Sequence, residues 1–196
     1  EGLADARVSL GSVCLRITDG THQPPKWAAQ GHPFLFVSNI VHGEIDFQTS
    51  RFISDETHAQ LTERCPIESG DVLFSTVGTY GVPVVVRTDT KFAFQRHIAH
   101  LKPNRELIHP DFLAVQLASP DLKRQADSAA RGAAQKTVNL KDIRDFSVVV
   151  PAMQEQVRLV SELESIRSIG RRMRAAQAVE EELGVALRHA AFSSSG

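Results

Sequence analysis

The chain has 196 residues and a formal net charge of −1, with 42% hydrophobic and 23% charged residues. That is an ordinary balance for one medium globular domain plus an appendage, or for two small domains. It excludes a strongly basic nucleic-acid-binding module, so any basic surface must be local, and with no run of about 18 apolar residues no membrane span is expected.

From the N-terminus onward the chain reads first as a β-rich unit. "EGLADARVSLGS" has no basic segment leading into an apolar stretch, so no signal peptide is expected, and the absence of an initiator Met points to a processed or truncated piece. Residues 7 to 150 carry nearly all the aromatic residues, Gly and Pro. Short apolar runs lie between turn signals: "PFLFV" (33–37), "EIDF" (44–47), "DVLFS" (71–75), "VPVVVR" (82–87), "FAF" (92–94), "IAHL" (98–101) and "FSVVV" (146–150). Their β-branched and aromatic residues predict strands. Helical signals are fewer. Ser54 before Asp55 and Glu56 predicts an N-cap with acids in the first turn. Pro110 and Pro120 each occupy a first helical position, and Asn139 is a candidate N-cap for "LKDIRDF".

The composition changes abruptly at Ala152. The remaining segment has no Pro and is rich in Glu, Arg, Ala and Leu. Leu159, Leu163, Ile166, Gly170 and Met173 follow a 4-3-4-3 rhythm, which drifts to Ala176, Leu183, Leu187 and Ala190 nearer a 3.6 period. A single helix of about 40 residues, roughly 60 Å long, would carry this stripe and need a partner helix, since charged residues cover its other faces. The alternative is two helices broken at Gly170 or Gly184.

Three motifs suggest chemistry, and none holds. Pro110-Asp111 followed by Asp121-Leu122-Lys123 spells the P-D…D-x-K pattern of metal-dependent nucleases, which needs its carboxylates and lysine to converge on a metal ion. Here both acids fall at helix starts. Gln23-Pro24-Pro25-Lys26 is near the motif of adenine methyltransferases, but its first residue is wrong, no aromatic follows, and no Gly-rich loop is present for S-adenosylmethionine. His97 and His100 lie in a strand context that sends their rings to opposite sides, with no Cys or carboxylate set to complete a metal site. Cys14 and Cys65 have no CxxC partner and are expected to be reduced core residues of a cytosolic protein, a disulfide being the alternative. No cofactor or metal site is expected.

What remains is a set of polar loops. "ITDGTHQPPKW" (17–27) carries Thr21 and His22 behind an Asp-Gly turn. "STVGTYG" (75–81) sets Thr79 and Tyr80 between glycines. "FQRHIAH" (94–100) offers Arg96, and "RGAAQKTVN" (131–139) offers Arg131, Gln135 and Lys136. Glycines let a backbone approach phosphate closely, and Gln, Arg and Lys can pair with base edges. Hairpins of β domains routinely carry the same residues, so ordinary surface loops are an equally available reading.

In their order along the chain, "ITDGTHQPPKW", "PFLFVSNIVHGEIDF", "GDVLFSTVGTYG", "FQRHIAHLKP", "FLAVQLAS" and "GAAQKTVNLKDIRDFSVVVPAMQEQVRLVSELESI" resemble the DNA specificity (S) subunits of type I restriction–modification systems. The resemblance covers roughly residues 7–170. It implies an α+β chain: a target recognition domain over 1–151 that reads one half of a bipartite duplex target, then a long coiled-coil helix over 152–196. That helix would space the recognition domain, dimerise or pair with a second half through Leu159, Leu163, Ile166, Met173, Leu183 and Leu187, and dock the methyltransferase (modification) and restriction subunits. Methylation, cleavage and ATP hydrolysis would belong to those subunits, and the complex would be cytoplasmic. Family members typically contain two recognition domains and two long helices, whereas this chain has one of each. It would therefore be a half-subunit or a fragment. The "GAAQKTVN" block tends to be shared between members with different targets, which suits contact with the DNA backbone at Gln135 and Lys136 better than base reading. Two other readings stay open: a non-catalytic interaction module assembling through its long helix, and the recognition end of a fused restriction–methyltransferase.

Overall fold

A computed structural model describes residues 7–41, 43–133 and 135–193, without the side chains of Arg171, Glu180 and 183–193 in the last helix. In chain order the strands are β1 (Arg7–Ser9), β2 (Cys14–Asp19), β3 (His32–Leu35), β4 (Phe52–Ile53), β5 (Val72–Ser75), β6 (Pro83–Val85), β7 (Ala93–Phe94), β8 (Ile98–Pro103) and β9 (Ser147–Val149). The helices are α1 (Asp55–Thr62), α2 (Pro110–Leu117), α3 (Pro120–Ala129), α4 (Leu140–Asp145) and α5 (Met153–Ser193). The class is mixed α+β. Two compact units divide the chain, Glu1–Val157 and Arg158–Gly196.

The first unit is organised by an antiparallel sheet of order β2-β8-β5-β6. β5 is buried at every position and β8 at all but Lys102, which explains why both read as continuous apolar runs. Cross-strand register places Leu73 opposite both His100 and Val84. On that face lies an apolar cluster that includes Leu35, Leu73, Val84, Phe92, Phe94 and Ile98, contributed in part by the smaller β4-β3-β7 sheet. The opposite face carries Phe74, whose ring meets Phe146 at 6.5 Å between centroids.

Helix starts follow their caps. The Ser54 hydroxyl accepts from Thr57 N at the head of α1, and the Ser119 hydroxyl accepts from Leu122 N at the head of α3. Pro110 and Pro120 open α2 and α3, where a missing N–H costs no hydrogen bond. Asn139 sits at the cap of α4 without a side-chain bond to the helix backbone. β9 pairs with β1 on one edge, and its other edge meets side-chain amides. Gln125 exchanges two hydrogen bonds with the Ser147 backbone, and Gln116 does the same with Val149. The two glutamines thereby occupy an edge that would otherwise leave backbone groups unpaired.

Residues 44–47, expected as a strand, are loop. Ile45 and Phe47 still pack on the apolar cluster. Asn39 supplies the polar partners that a neighbouring strand would have given, accepting from Phe36 N and donating to Asp46 O and Gln48 O. Strands β1, β2 and β4 had no sequence signal, because β1 and β2 are largely exposed edges and β4 has two residues. Cys14 and Cys65 are free thiols, half-buried rather than core. α5 is one helix of 41 residues, without a break at Gly170 or Gly184. At its start Gln156 is fully buried, donating to Leu107 O and Pro151 O and accepting from His109 N.

The four-stranded sheet also buries charge. His100 Nε2 lies 2.7 Å from Asp71 Oδ2, with both side chains 2% exposed or less. Lys102, only partly buried, bridges Asp71 and Glu68. Burial alone would lower the His100 pKa, but hydrogen bonds to Asp71 and Cys65 outweigh it and the net shift is upward. Burial would raise the Asp71 pKa, but His100, the Glu68 N–H and Lys102 carry it below its ordinary value. The stability supplied by His100 is present below its ordinary 6.5 and lost as pH rises through the raised folded value. That supplied by Asp71 is present above its ordinary 3.8 and lost as pH falls through the lowered one. The pair therefore stabilises most between those two ordinary values. Asp71→Ala leaves a buried imidazolium uncompensated and is expected to cost about 3–5 kcal/mol, read as a fall in urea midpoint at pH 6. A change under about 1 kcal/mol would remove the pair from the account, being the size of an exposed ion pair.

Candidate nucleic-acid interface

Antiparallel pairing alternates strand direction, so the C-terminal ends of β2 and β5 and the N-terminal ends of β8 and β6 share one end of the sheet. The loops expected to carry the site leave from that end. Backbone hydrogen bonds join them into one rim. Thr21 donates to Phe94 O and accepts from Arg96 N. Thr76 N donates to His97 O, Gly78 N to Lys136 O, and Val138 N to Thr76 O. Val77 bridges Thr137, which in turn bridges Arg131. Thr21, His22, Thr79, Tyr80, Arg96, Arg131, Gln135 and Lys136 are thus brought together at one end of the first unit. Among them Thr21 and Tyr80 are half-buried and the other six are exposed.

Each loop has a local cause. The buried Ser75 hydroxyl donates to Thr79 O and accepts from Val82 N, closing the 75–82 turn and presenting Thr79 outward. Gly78, with φ of +69°, lies where a left-handed backbone is needed. Gly20 meets a different demand, because a Cβ there would collide with the Phe94 carbonyl. Thr21 Oγ1 closes the next turn by donating to Gln23 O.

The polar side chains divide by how they are held. His22 Nε2 lies 2.9 Å from Asp19 Oδ2. Tyr80 donates its hydroxyl to Asp127 at 2.7 Å, and Lys123 Nζ stands 4.0 Å from the centre of its ring while also bonding Asp127. The hydrogen bond to Asp127 raises the Tyr80 pKa, and Lys123 and Tyr80 together lower that of Asp127. Arg131 pairs with Asp142 at 3.1 Å. Arg96 forms no ion pair among the described residues. His97 Nε2 accepts from Arg96 Nε at 3.4 Å. Burial and then Arg96 lower the His97 pKa, which favours this neutral, accepting ring. The Lys136 ammonium has no hydrogen bond or ion pair among the described residues, although Asp127 is near enough to feel its charge. Arg96 and Lys136 therefore keep donors available to a polyanion at this rim.

The nuclease-like residues are separated and occupied elsewhere. Asp111 lies in the first turn of α2 paired with Arg87, Asp121 in the first turn of α3 between Arg7 and Arg124, and Lys123 on Asp127. His100 is buried in β8 and His97 precedes it in the rim loop. Sequence reading missed Ser75 and His97 as organisers of the rim. A polar Ser75-Thr76 pair ending the apolar run "DVLF" was the available signal.

Residues 26–172 match the family model described as the type I restriction modification DNA specificity domain. The chain is 31% identical over 147 residues to the type I restriction enzyme EcoBI specificity subunit of Escherichia coli, an alignment covering 75% of this chain and 31% of that protein. It is 21% identical over 168 residues to the EcoKI specificity subunit of Escherichia coli strain K12, covering 82% and 35%. The fold is similar to that of the crystallised HsdS subunit from Thermoanaerobacter tengcongensis, with a TM-score of 0.62, 24% identity, and coverage of 88% of this chain and 44% of that one. The chain thus spans about a third of the length of these curated relatives.

Proposed function

The chain belongs to the family of type I restriction–modification DNA specificity domains, and from that premise we propose that it recognises one half of a bipartite duplex target for such a complex. The observation that carries the reading is the rim at one end of the sheet, where four polar loops are tied by backbone hydrogen bonds and leave Arg96 and Lys136 with donors to spare. Lys136 and Gln135 hold phosphates beside the glycine-backed 75–82 turn. Arg96, with Thr21 and His22 at its side, reaches base edges. Tyr80 and Arg131 are fixed by Asp127 and Asp142 and shape the surface rather than read it. The recognition unit spans residues 1–151 and the partner-binding helix 152–196. Methyl transfer and cleavage fall to separate modification and restriction subunits, so this chain needs no cofactor of its own and works in the cytoplasm. Among the described residues no helix is long and apolar enough to cross a membrane.

The same premise accounts for α5. Along its described part Ile166, Ile169, Met173 and Val179 are each at least half exposed, and Leu159 and Leu163 are half-buried. Burying such a side chain is worth about 1.5–3 kcal/mol, so the stripe is built for a second helix. An antiparallel copy of the same chain would place two recognition units at opposite ends, as two half-sites with a fixed gap require. Leu183 and Leu187, expected on this stripe, lie beyond the described side chains.

Two measurements follow. In a binding titration against a selected duplex, Lys136→Ala is expected to weaken affinity about equally for all sequences and flatten the salt slope by about one unit. Arg96→Ala is expected to cost roughly 1–3 kcal/mol and relax preference at one base pair. Wild-type affinity in both variants would put the DNA surface elsewhere. By light scattering at micromolar concentration the chain is expected to be a dimer that Ile166→Asp converts to a monomer. A wild-type monomer would refute the self-paired helix and leave pairing with a different second half.

A further inference from the structure

On the face of the sheet that packs against β3 and β7, three side chains stand in line. Cys65 Sγ is 3.4 Å from His100 Nδ1, and His100 Nε2 is 2.7 Å from Asp71 Oδ2. His100 Nε2–H donates to the carboxylate, which leaves Nδ1 facing sulfur. The neutral ring accepts the thiol proton there, and the imidazolium donates to a thiolate. This is the arrangement of a nucleophile, its base and the group that orients the base. His100 and Asp71 are buried, whereas Cys65 is half-buried and lines a cavity of about 310 Å³ with Arg16, Leu61, Thr62, Arg64 and His100. The charged groups around the ring are Asp71, with Lys102 and Glu68 beyond it, Arg16 and Asp19 from β2, and Arg64 from the turn after α1. β7 contributes only Ala93 and Phe94 to the cavity. Cys14 provides the contrast, since burial pushes its thiol up to about 12 and no imidazole among the described residues bonds it.

We propose that Cys65 is a reactive thiol, activated by His100 and Asp71 to attack a small hydroperoxide entering this cavity. The thiolate sulfur attacks the distal peroxide oxygen, forming an S–O bond as the O–O bond breaks. Sulfur is oxidised by two electrons to the sulfenic acid, and the peroxide is reduced to its alcohol. The proton taken from the thiol returns from His100 Nδ1 to the leaving alkoxide, so thiol plus hydroperoxide gives sulfenic acid plus alcohol. Arg16 and Arg64 line the cavity that the hydroperoxide enters. This chemistry is separate from DNA reading and stands without it.

The intact chain is treated with tert-butyl hydroperoxide, the sulfenic acid is trapped with dimedone, and Cys65 and Cys14 are followed as separate peptides by mass spectrometry. Cys65 is expected to be trapped at least about tenfold faster than Cys14, and faster in the folded chain than in the same chain unfolded in urea. His100→Gln is expected to remove that advantage while the far-ultraviolet circular dichroism stays unchanged. Should that variant fail to fold, the comparison of folded with unfolded wild type decides by itself. A merely shielded thiol slows on folding, whereas an activated one speeds up. Equal or slower reaction of Cys65 in the folded chain would overturn the proposal.

Discussion

Strand β8 is hydrogen-bonded along both edges, to β2 on one side and β5 on the other. That double pairing fixes everything built on the sheet. A slip of one residue would turn His100 away from Asp71 and expose Leu101 to the wrong face, since side chains alternate with a period of two. It also decides where the loops go. With neighbours antiparallel on both sides, the turn leaving β2, the turn between β5 and β6 and the approach to β8 have no choice but to gather at one end. The 131–138 segment is then sewn to them through Val77, Gly78 and Thr76.

The buried Asp71–His100 pair explains why this register is worth defending with charge. Its contribution to stability is small unless broken, because desolvation offsets most of the attraction. Its specificity is larger: a slipped strand would part the carboxylate from the imidazole inside an apolar layer. The same pair leaves His100 Nδ1 aimed at Cys65, so a device for register also creates a candidate for chemistry.

Much of this was legible in the chain. Apolar runs marked β3 and β5 to β9, and the cap residues Ser54, Pro110 and Pro120 marked three helices, because burial and capping act on residues close in sequence. Strand β2 was invisible, being an exposed edge whose partners lie some 80 residues away. "EIDF" misled for the opposite reason: its apolar residues are wanted by the core, but Asn39 rather than a neighbouring strand satisfies the backbone. Loop composition pointed to the rim residues, and family resemblance gave them a role. It could not tell that Asp127 and Asp142 hold Tyr80 and Arg131 while Arg96 and Lys136 keep their donors, because those pairings depend on where α3 and α4 lie against the rim.

The claim that this end of the sheet faces DNA is open to direct observation by amide hydrogen exchange with and without bound duplex. Protection on binding is expected at the loops 20–23, 76–81, 94–97 and 131–138. The opposite end of the sheet, at residues 68–71, 86–88 and 104–109, should exchange as in the free chain. Protection confined to that opposite end, with the four rim loops unchanged, would contradict the account.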